Sequence, residues 1–197
     1  MTVVEDRPAA GDMLIARRAM IDSQLRVTGV NSPAILAAFN AVPREDFVPA
    51  DRRAVAYADR AVPLADGKVL SPALTYGQML EAADVTGADN VLVISGNGYL
   101  DALASKLSGN VTRAESLAAA QGGPYALILI DGAAEVLPDS LAVLLADDGR
   151  VVTGLVERGV TRLALARKAG GKVIATALGE ADFAVLPDLA APKKWSF

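Results

Sequence analysis

The 197-residue chain contains no histidine and no cysteine. Without cysteine there is no disulfide, no zinc–thiolate site and no thiol nucleophile. Without histidine, a Ser-His-Asp relay and imidazole ligation of a metal are excluded. Aromatic residues make up 5% of the chain and tryptophan occurs once, so aliphatic side chains and alanine have to build the core. An excess of positive charge is also missing. Nineteen Lys and Arg stand against twenty-three Asp and Glu, a formal net charge of −4. General nucleic-acid binding needs a basic face and is not expected. No uninterrupted apolar run is long enough to span a membrane. Residues 1–11 are polar and lack the apolar centre of a signal peptide. The expectation is a cytoplasmic chain with no metal, no membrane and no nucleic-acid partner. What is present is abundant Ala, Val and Leu with moderate charge, enough for one domain with some elaboration.

One stretch organises the rest, residues 90–104, which reads as buried strand, glycine turn and helix. Val91, Leu92, Val93 and Ile94 form a short apolar run of the kind found in a parallel strand covered on both faces. Gly96 and Gly98 let the backbone turn sharply and approach a ligand closely. A helix starting near Tyr99 aims its free N–H groups at that turn. Ligands of open α/β sheets sit outside the carboxyl ends of the strands, at such a turn. Ser95-Gly96-Asn97-Gly98 lacks full GxGxxG spacing, so an ordinary strand–helix turn is the alternative.

Around this stretch the chain divides into a flexible tail at 1–11, an N-terminal helical cap at 12–60, and a sheet domain at 61–197 ending in antiparallel edge strands. In the cap, Asp12 is placed to start a helix running to about Val27, with Gly29 ending it. Ser32-Pro33 begins a second helix that Pro43 stops, and residues 51–57 form a short helical turn. Residues 61–64 read as a short strand, and a helix carrying Met79, Leu80 and Ala83 follows Pro72. Ser71 is either the N-cap of that helix or a hydroxyl in a substrate cleft. Residues 110–115 are a second strand, and Glu115 at its end has the place and the spacing, about 20 residues from the glycine turn, of an acid that accepts ribose hydroxyls; a solvated surface Glu is the alternative. Residues 125–130 are the clearest buried strand, ended by Asp131-Gly132. A helix at 138–145, a turn at Asp148-Gly149, a strand at 150–153, a hairpin of 161–167 with 172–177, and a last strand at 184–186 complete the reading.

Met20-Ile-Asp-Ser-Gln-Leu-Arg26, Ala41-Val-Pro-Arg-Glu-Asp-Phe-Val-Pro49, Ala56-Tyr-Ala-Asp-Arg60, Gly67-Lys-Val-Leu-Ser71 and Pro124-Tyr-Ala-Leu-Ile-Leu-Ile130 together resemble the protein-L-isoaspartate O-methyltransferase family, over residues 13–197. The resemblance implies an α/β, Rossmann-like methyltransferase sheet. It implies S-adenosylmethionine as cofactor, carboxyl methylation of damaged aspartyl residues in a protein or peptide, and Ser71 as the active-site serine. Cofactor contacts would fall to Ser95, Gly96, Gly98, Tyr99 and Glu115. A carboxylate is already a nucleophile near neutral pH, so the reaction needs alignment and exclusion of water rather than a general base. That agrees with the missing His and Cys.

The chain also departs from the family pattern. The usual Glu-Ile-Gly-x-Gly-x-Gly-Tyr turn is here Val93-Ile-Ser-Gly-Asn-Gly-Tyr99, one residue shorter and without the acid. Pro72 follows Ser71 directly. Between Glu115 and Tyr125 the family has a helix, a third strand and an adenine-contacting loop, whereas this chain has nine residues. Those nine must cross two strand spacings, roughly 10 Å, and return along a strand, roughly 15 Å. They span at most about 30 Å extended. One edge strand and its helix are therefore expected to be missing. Weak or absent cofactor binding is expected, with a ligand side that is shallow, open to solvent, or filled by side chains such as Leu117 and Tyr99. The exposed edge is expected to favour a homodimer. Two readings follow: an active methyltransferase with a reduced cofactor site, or a catalytically degenerate member serving as a binding or assembly module.

Overall fold

The computed structural model describes residues 10–191. Its centre is a six-stranded sheet of order β4-β3-β5-β6-β7-β8, made of β3 (Asn90–Ile94), β4 (Asn110–Ala114), β5 (Tyr125–Ala134), β6 (Leu145–Glu157), β7 (Val160–Ala169) and β8 (Lys172–Glu180). The first four in that order are parallel and the last two join antiparallel. A separate two-stranded ladder pairs β1 (Val62–Pro63) with β2 (Val69–Leu70). No helix among the described residues is long and apolar enough to cross a membrane.

Val91–Ile94 is buried on both faces, as its continuous apolar run requires. Val91 and Val93 face a core shared with the helical cap and with α3 (Ala73–Ala83) and α4 (Tyr99–Ala104). Leu92 and Ile94 face a second core with Tyr125, Ile128, Ile130 and Leu145. The cap is built from α1 (Ala10–Met20), which continues as a π-helical turn at Ile21–Leu25 and a 3-10 turn at Arg26–Thr28. Gly29 at φ 98° ends it. The first helix thus starts at Ala10 rather than Asp12. Residues 1–9 of the expected tail lie outside the described residues. α2 (Pro33–Ala41) begins after Ser32, whose hydroxyl makes no capping bond. The Asn31 and Ser32 N–H groups instead donate to Glu81 Oε1 on α3, each at 2.9 Å.

The edge is trimmed as expected. β4 is the outermost strand, and the only regular structure between it and β5 is a 3-10 turn at Leu117–Ala119, capped by the Ser116 hydroxyl. The C-terminal half differs more. β5 does not stop at Asp131-Gly132 but runs on to Ala134, where Ala133 and Ala134 pair with Gly154 and Leu155 of β6 and the segment after β8 adds a bridge on the other side: the Ala133 N–H donates to Ala184 O at 2.8 Å and the Leu186 N–H to Ala133 O at 2.9 Å. The expected strand at 184–186 is reduced to that one bridge, Ala133 with Val185. Gly132 and Gly154 are the sockets for this segment. A Cβ on Gly132 would lie 2.5 Å from Leu186 and one on Gly154 2.7 Å from Phe183. The expected helix at 138–145 shortens to α5 (Leu141–Leu144), since Leu145 is already paired with Tyr125. Asp148-Gly149 is an irregularity within β6, not a turn before it.

Candidate functional site

Two strands end and a third bulges side by side, each delivering one piece of a cavity. β4 delivers Glu115, β3 delivers Ser95 and Gly96, and β5 delivers Asp131. These residues, with Lys68, Ile94, Ser116 and Leu117, surround a space of about 180 Å³ that the 3-10 turn Pro187–Leu189 closes from the far side. The position is the one an open parallel sheet reserves for ligands. Leu186, Leu189 and Leu117 give it an apolar wall, and Glu115 and Asp131 give it two acids.

Asp131 follows the last residue of β5 in register with β3, Ile130 opposite Ile94, which sets its carboxylate beside Ser95. Beyond Leu129 the β5–β6 ladder slips, with three residues of β5 facing one of β6. A bulge of this kind re-aims side chains near sites. Three donors then converge on Asp131 Oδ2: the Ser95 hydroxyl at 2.9 Å, the Asn97 amide at 2.8 Å and the Tyr76 hydroxyl at 3.1 Å. Burial pushes this carboxyl up to about 6, against the pull of those donors and of Arg44. Burial, and the charge of Asp131, also push the Tyr76 phenol well above its ordinary value, so it serves as a donor.

Asn97 holds the glycine turn together. Its amide also donates to Val69 O at 3.0 Å, and its Oδ1 accepts the Tyr99 N–H at 2.9 Å, satisfying one of the free donors at the start of α4. Gly98, at φ 84°, makes the left-handed turn into that helix, and the Arg113 guanidinium lies over it.

Ser71 is 3% exposed. It is not the N-cap of α3, a place taken by Pro72. Its N–H donates to the Tyr76 hydroxyl at 3.1 Å and its carbonyl accepts from Arg44. Tyr76 therefore links the Ser71 backbone to Asp131. Arg44 is fully buried, with its guanidinium 5.9 Å from the Tyr76 ring centre and 5.2 Å from that of Tyr99. Its Nε donates to Ala56 O at 2.6 Å. A larger open groove of about 510 Å³ starts at Pro72 and runs between Thr75, Thr161 and Asp182.

Of the residues expected to hold a cofactor, Ser95, Gly96 and Glu115 line the cavity, whereas Gly98 and Tyr99 do not. The Tyr99 ring points into the cap core, in edge-to-face contact with Phe39, Phe47 and Tyr76 at 6.3, 5.2 and 5.3 Å. It cannot fill the cavity as expected, because α4 turns that face toward the cap; Leu117 does line it. Asp131, Asn97, Tyr76 and Lys68 were not singled out from the sequence. Only Asp131 carried a signal, an acid after the most apolar strand, and it read only as the end of that strand.

The model of the protein-L-isoaspartate(D-aspartate) O-methyltransferase family matches residues 16–122. The chain belongs to the protein-L-isoaspartate O-methyltransferase family. It is similar to the protein-L-isoaspartate O-methyltransferase of Rhodopseudomonas palustris, 32% identical with 83% of this chain and 85% of that one covered. The enzyme of that name from Koribacter versatilis is also 32% identical, covering 86% and 90%. Among solved structures, a family member from Plasmodium falciparum in complex with S-adenosyl-L-homocysteine aligns with a TM-score of 0.71 at 17% identity, over 87% of this chain and 97% of that chain. Another protein-L-isoaspartate O-methyltransferase aligns with a TM-score of 0.74 at 19% identity, over 88% and 67%. These two likenesses establish the Rossmann-like fold of the family.

Proposed function

We propose that the protein methylates the carboxylate of isoaspartyl residues in damaged proteins or peptides, with S-adenosylmethionine as methyl donor. The observation that carries the reading is the cavity at the ends of β3 and β4 and the bulge of β5, tied to Ser71 through one hydroxyl, that of Tyr76. The residues present fit such a cofactor in kind. Glu115 is an acceptor for ribose hydroxyls, the Ser95-Gly96 turn allows close approach, and Leu117, Leu186 and Leu189 offer an apolar surface. S-adenosylmethionine, when bound, supplies an electrophilic methyl group on a positively charged sulfur. The chain's part is to hold the acceptor carboxylate near Ser71, to align it and to exclude water. The open groove beginning at Pro72 is of a size to receive the polypeptide around the modified residue.

The cofactor is held weakly in this reading. A cavity of about 180 Å³ lies below the range of roughly 300–1,000 Å³ usual for ligand pockets. The acid at position 93 and the adenine loop are missing as well. Each lost anchor costs about 1–3 kcal/mol, which moves a micromolar site into the millimolar range. The test is titration with S-adenosylmethionine alongside transfer of labelled methyl to an isoaspartyl peptide at high cofactor concentration. Millimolar binding with slow transfer is expected. Absence of both binding and transfer would instead favour a catalytically degenerate member that serves as a binding or assembly module.

A further inference from the structure

The two acids of the cavity are placed differently. Glu115 is exposed at the outer edge, where in the reading above it would accept ribose hydroxyls. Asp131 stands two strands away across the Ser95-Gly96 turn, roughly 10 Å in strand spacings. Its Oδ2 receives all three donors, Ser95, Asn97 and Tyr76. Among the described residues nothing donates to Oδ1 and no salt bridge includes Asp131. An ionised carboxylate has acceptor capacity on both oxygens, and Oδ1 is not among the fully buried atoms without a partner, in keeping with the place of Asp131 in the cavity wall. Arg44 is the nearest buried cation, but it lies over the Tyr76 ring and spends its hydrogen bonds on Ala56 and Ser71. One carboxylate oxygen is thus fixed by the fold and the other is left to the cavity. An acid needed only to brace the glycine turn has no use for that second oxygen or for its charge.

We propose that Asp131 binds the positively charged methionine end of S-adenosylmethionine, replacing the acid that Val93 does not supply. The assignment rests on the methyltransferase reading above. It makes the site a rebuilt one: the carboxylate has moved from β3 to the bulge of β5, and Asn97, Tyr76 and Ser95 hold it there. An extended nucleoside with an amino-acid arm would reach from Glu115 to Asp131 across the turn.

The test compares the natural protein with Asp131→Asn by ligand-observed NMR titration of three nucleosides. S-adenosylmethionine carries an ammonium and a sulfonium, S-adenosylhomocysteine only the ammonium, and 5′-methylthioadenosine neither. Loss of a charge-assisted hydrogen bond should weaken the charged ligands by about tenfold or more, with methylthioadenosine unchanged. Equal losses for the first two assign the ammonium, and a loss for S-adenosylmethionine alone assigns the sulfonium. Unchanged binding of all three, or the same weakening of all three, would overturn the assignment and leave Asp131 as a brace for the turn. If the natural protein binds none of the three, the methyltransferase reading fails with it.

Discussion

The Arg150 guanidinium grips both carboxylate oxygens of Asp89, with Nη1 at 3.2 Å from Oδ1 and Nη2 at 3.0 Å from Oδ2. The same guanidinium donates to the carbonyls of Ala83 and Asp84 at the end of α3. One side chain from β6 therefore joins the last turn of α3 to the residue that leads into β3, the strand carrying the glycine turn. Burial pushes Asp89 up, but Arg150 and the two Thr86 donors outweigh it and hold the carboxyl below its ordinary value. Removing one partner of such a pair leaves a partly buried charge alone. Arg150→Ala should cost about 3 kcal/mol by urea unfolding. Because the folded Asp89 is the stronger acid, its contribution is present above about pH 4 and is lost as pH falls further. The variant should lack that acid-side loss.

Arg44→Ala should destabilise by about 3 kcal/mol, from two cation–π contacts and hydrogen bonds to Ala56 and Ser71. Arg44→Lys keeps the charge but not the plane or the fork, and should still lose over about 1 kcal/mol. Equal stability of the lysine variant and the natural protein in denaturant would contradict this account.

Asp131 gives the opposite pH signature to Asp89. Its carboxyl is raised to about 6 in the fold. The stability linked to it is complete below about pH 4 and is lost as pH rises through about 6. The ionisable groups facing it are Tyr76 and Arg44 on the cap side, and Lys68, Glu115 and Asp188 around the cavity. The natural protein should lose stability relative to Asp131→Asn between those pH values, measured as the difference in their urea midpoints. A difference that stays flat from pH 4 to pH 7 would show that the carboxyl is solvated.

Ser71→Ala should reduce methyl transfer to an isoaspartyl peptide by about 10- to 100-fold, as expected when a positioning contact is lost. Stability should shift by less than about 0.5 kcal/mol, because the tested hydroxyl carries no structural bond. The Ser71 contacts recorded with Tyr76 and Arg44 run through its backbone, which alanine keeps.

Gly132→Ala should cost about 1–3 kcal/mol, since the new methyl meets Leu186 where the closing segment docks. Faster proteolysis within residues 181–191 should accompany the loss, visible by mass spectrometry of a timed digest.

The strand–turn–helix at residues 90–104 was legible because a fully buried parallel strand and a glycine turn are local patterns. The missing edge strand was legible from chain length alone, since nine residues cannot both cross the sheet and add to it. Asp131 was not legible, because its partners Tyr76, Ser95 and Asn97 come from two other elements 34 to 55 positions away. Tyr99 misled for a related reason. Its place beside the turn is fixed by sequence, but the direction of its ring depends on Phe39 and Phe47 in the cap. Of the two readings of Ser71, the cap failed because a serine before proline has that place in many helices, whereas here the helix begins one residue later.

The wall formed by Leu186, Pro187 and Leu189 has a consequence for how the protein is made. Every other piece of the cavity is translated by residue 131, and the sheet beyond it by residue 180. A chain emerging from the ribosome can therefore form its strands while the ligand space still lacks one side. The space closes when the segment after β8 emerges and seats on Gly132. A chain cut after β8 would therefore keep the six sheet strands but leave that side of the ligand space open.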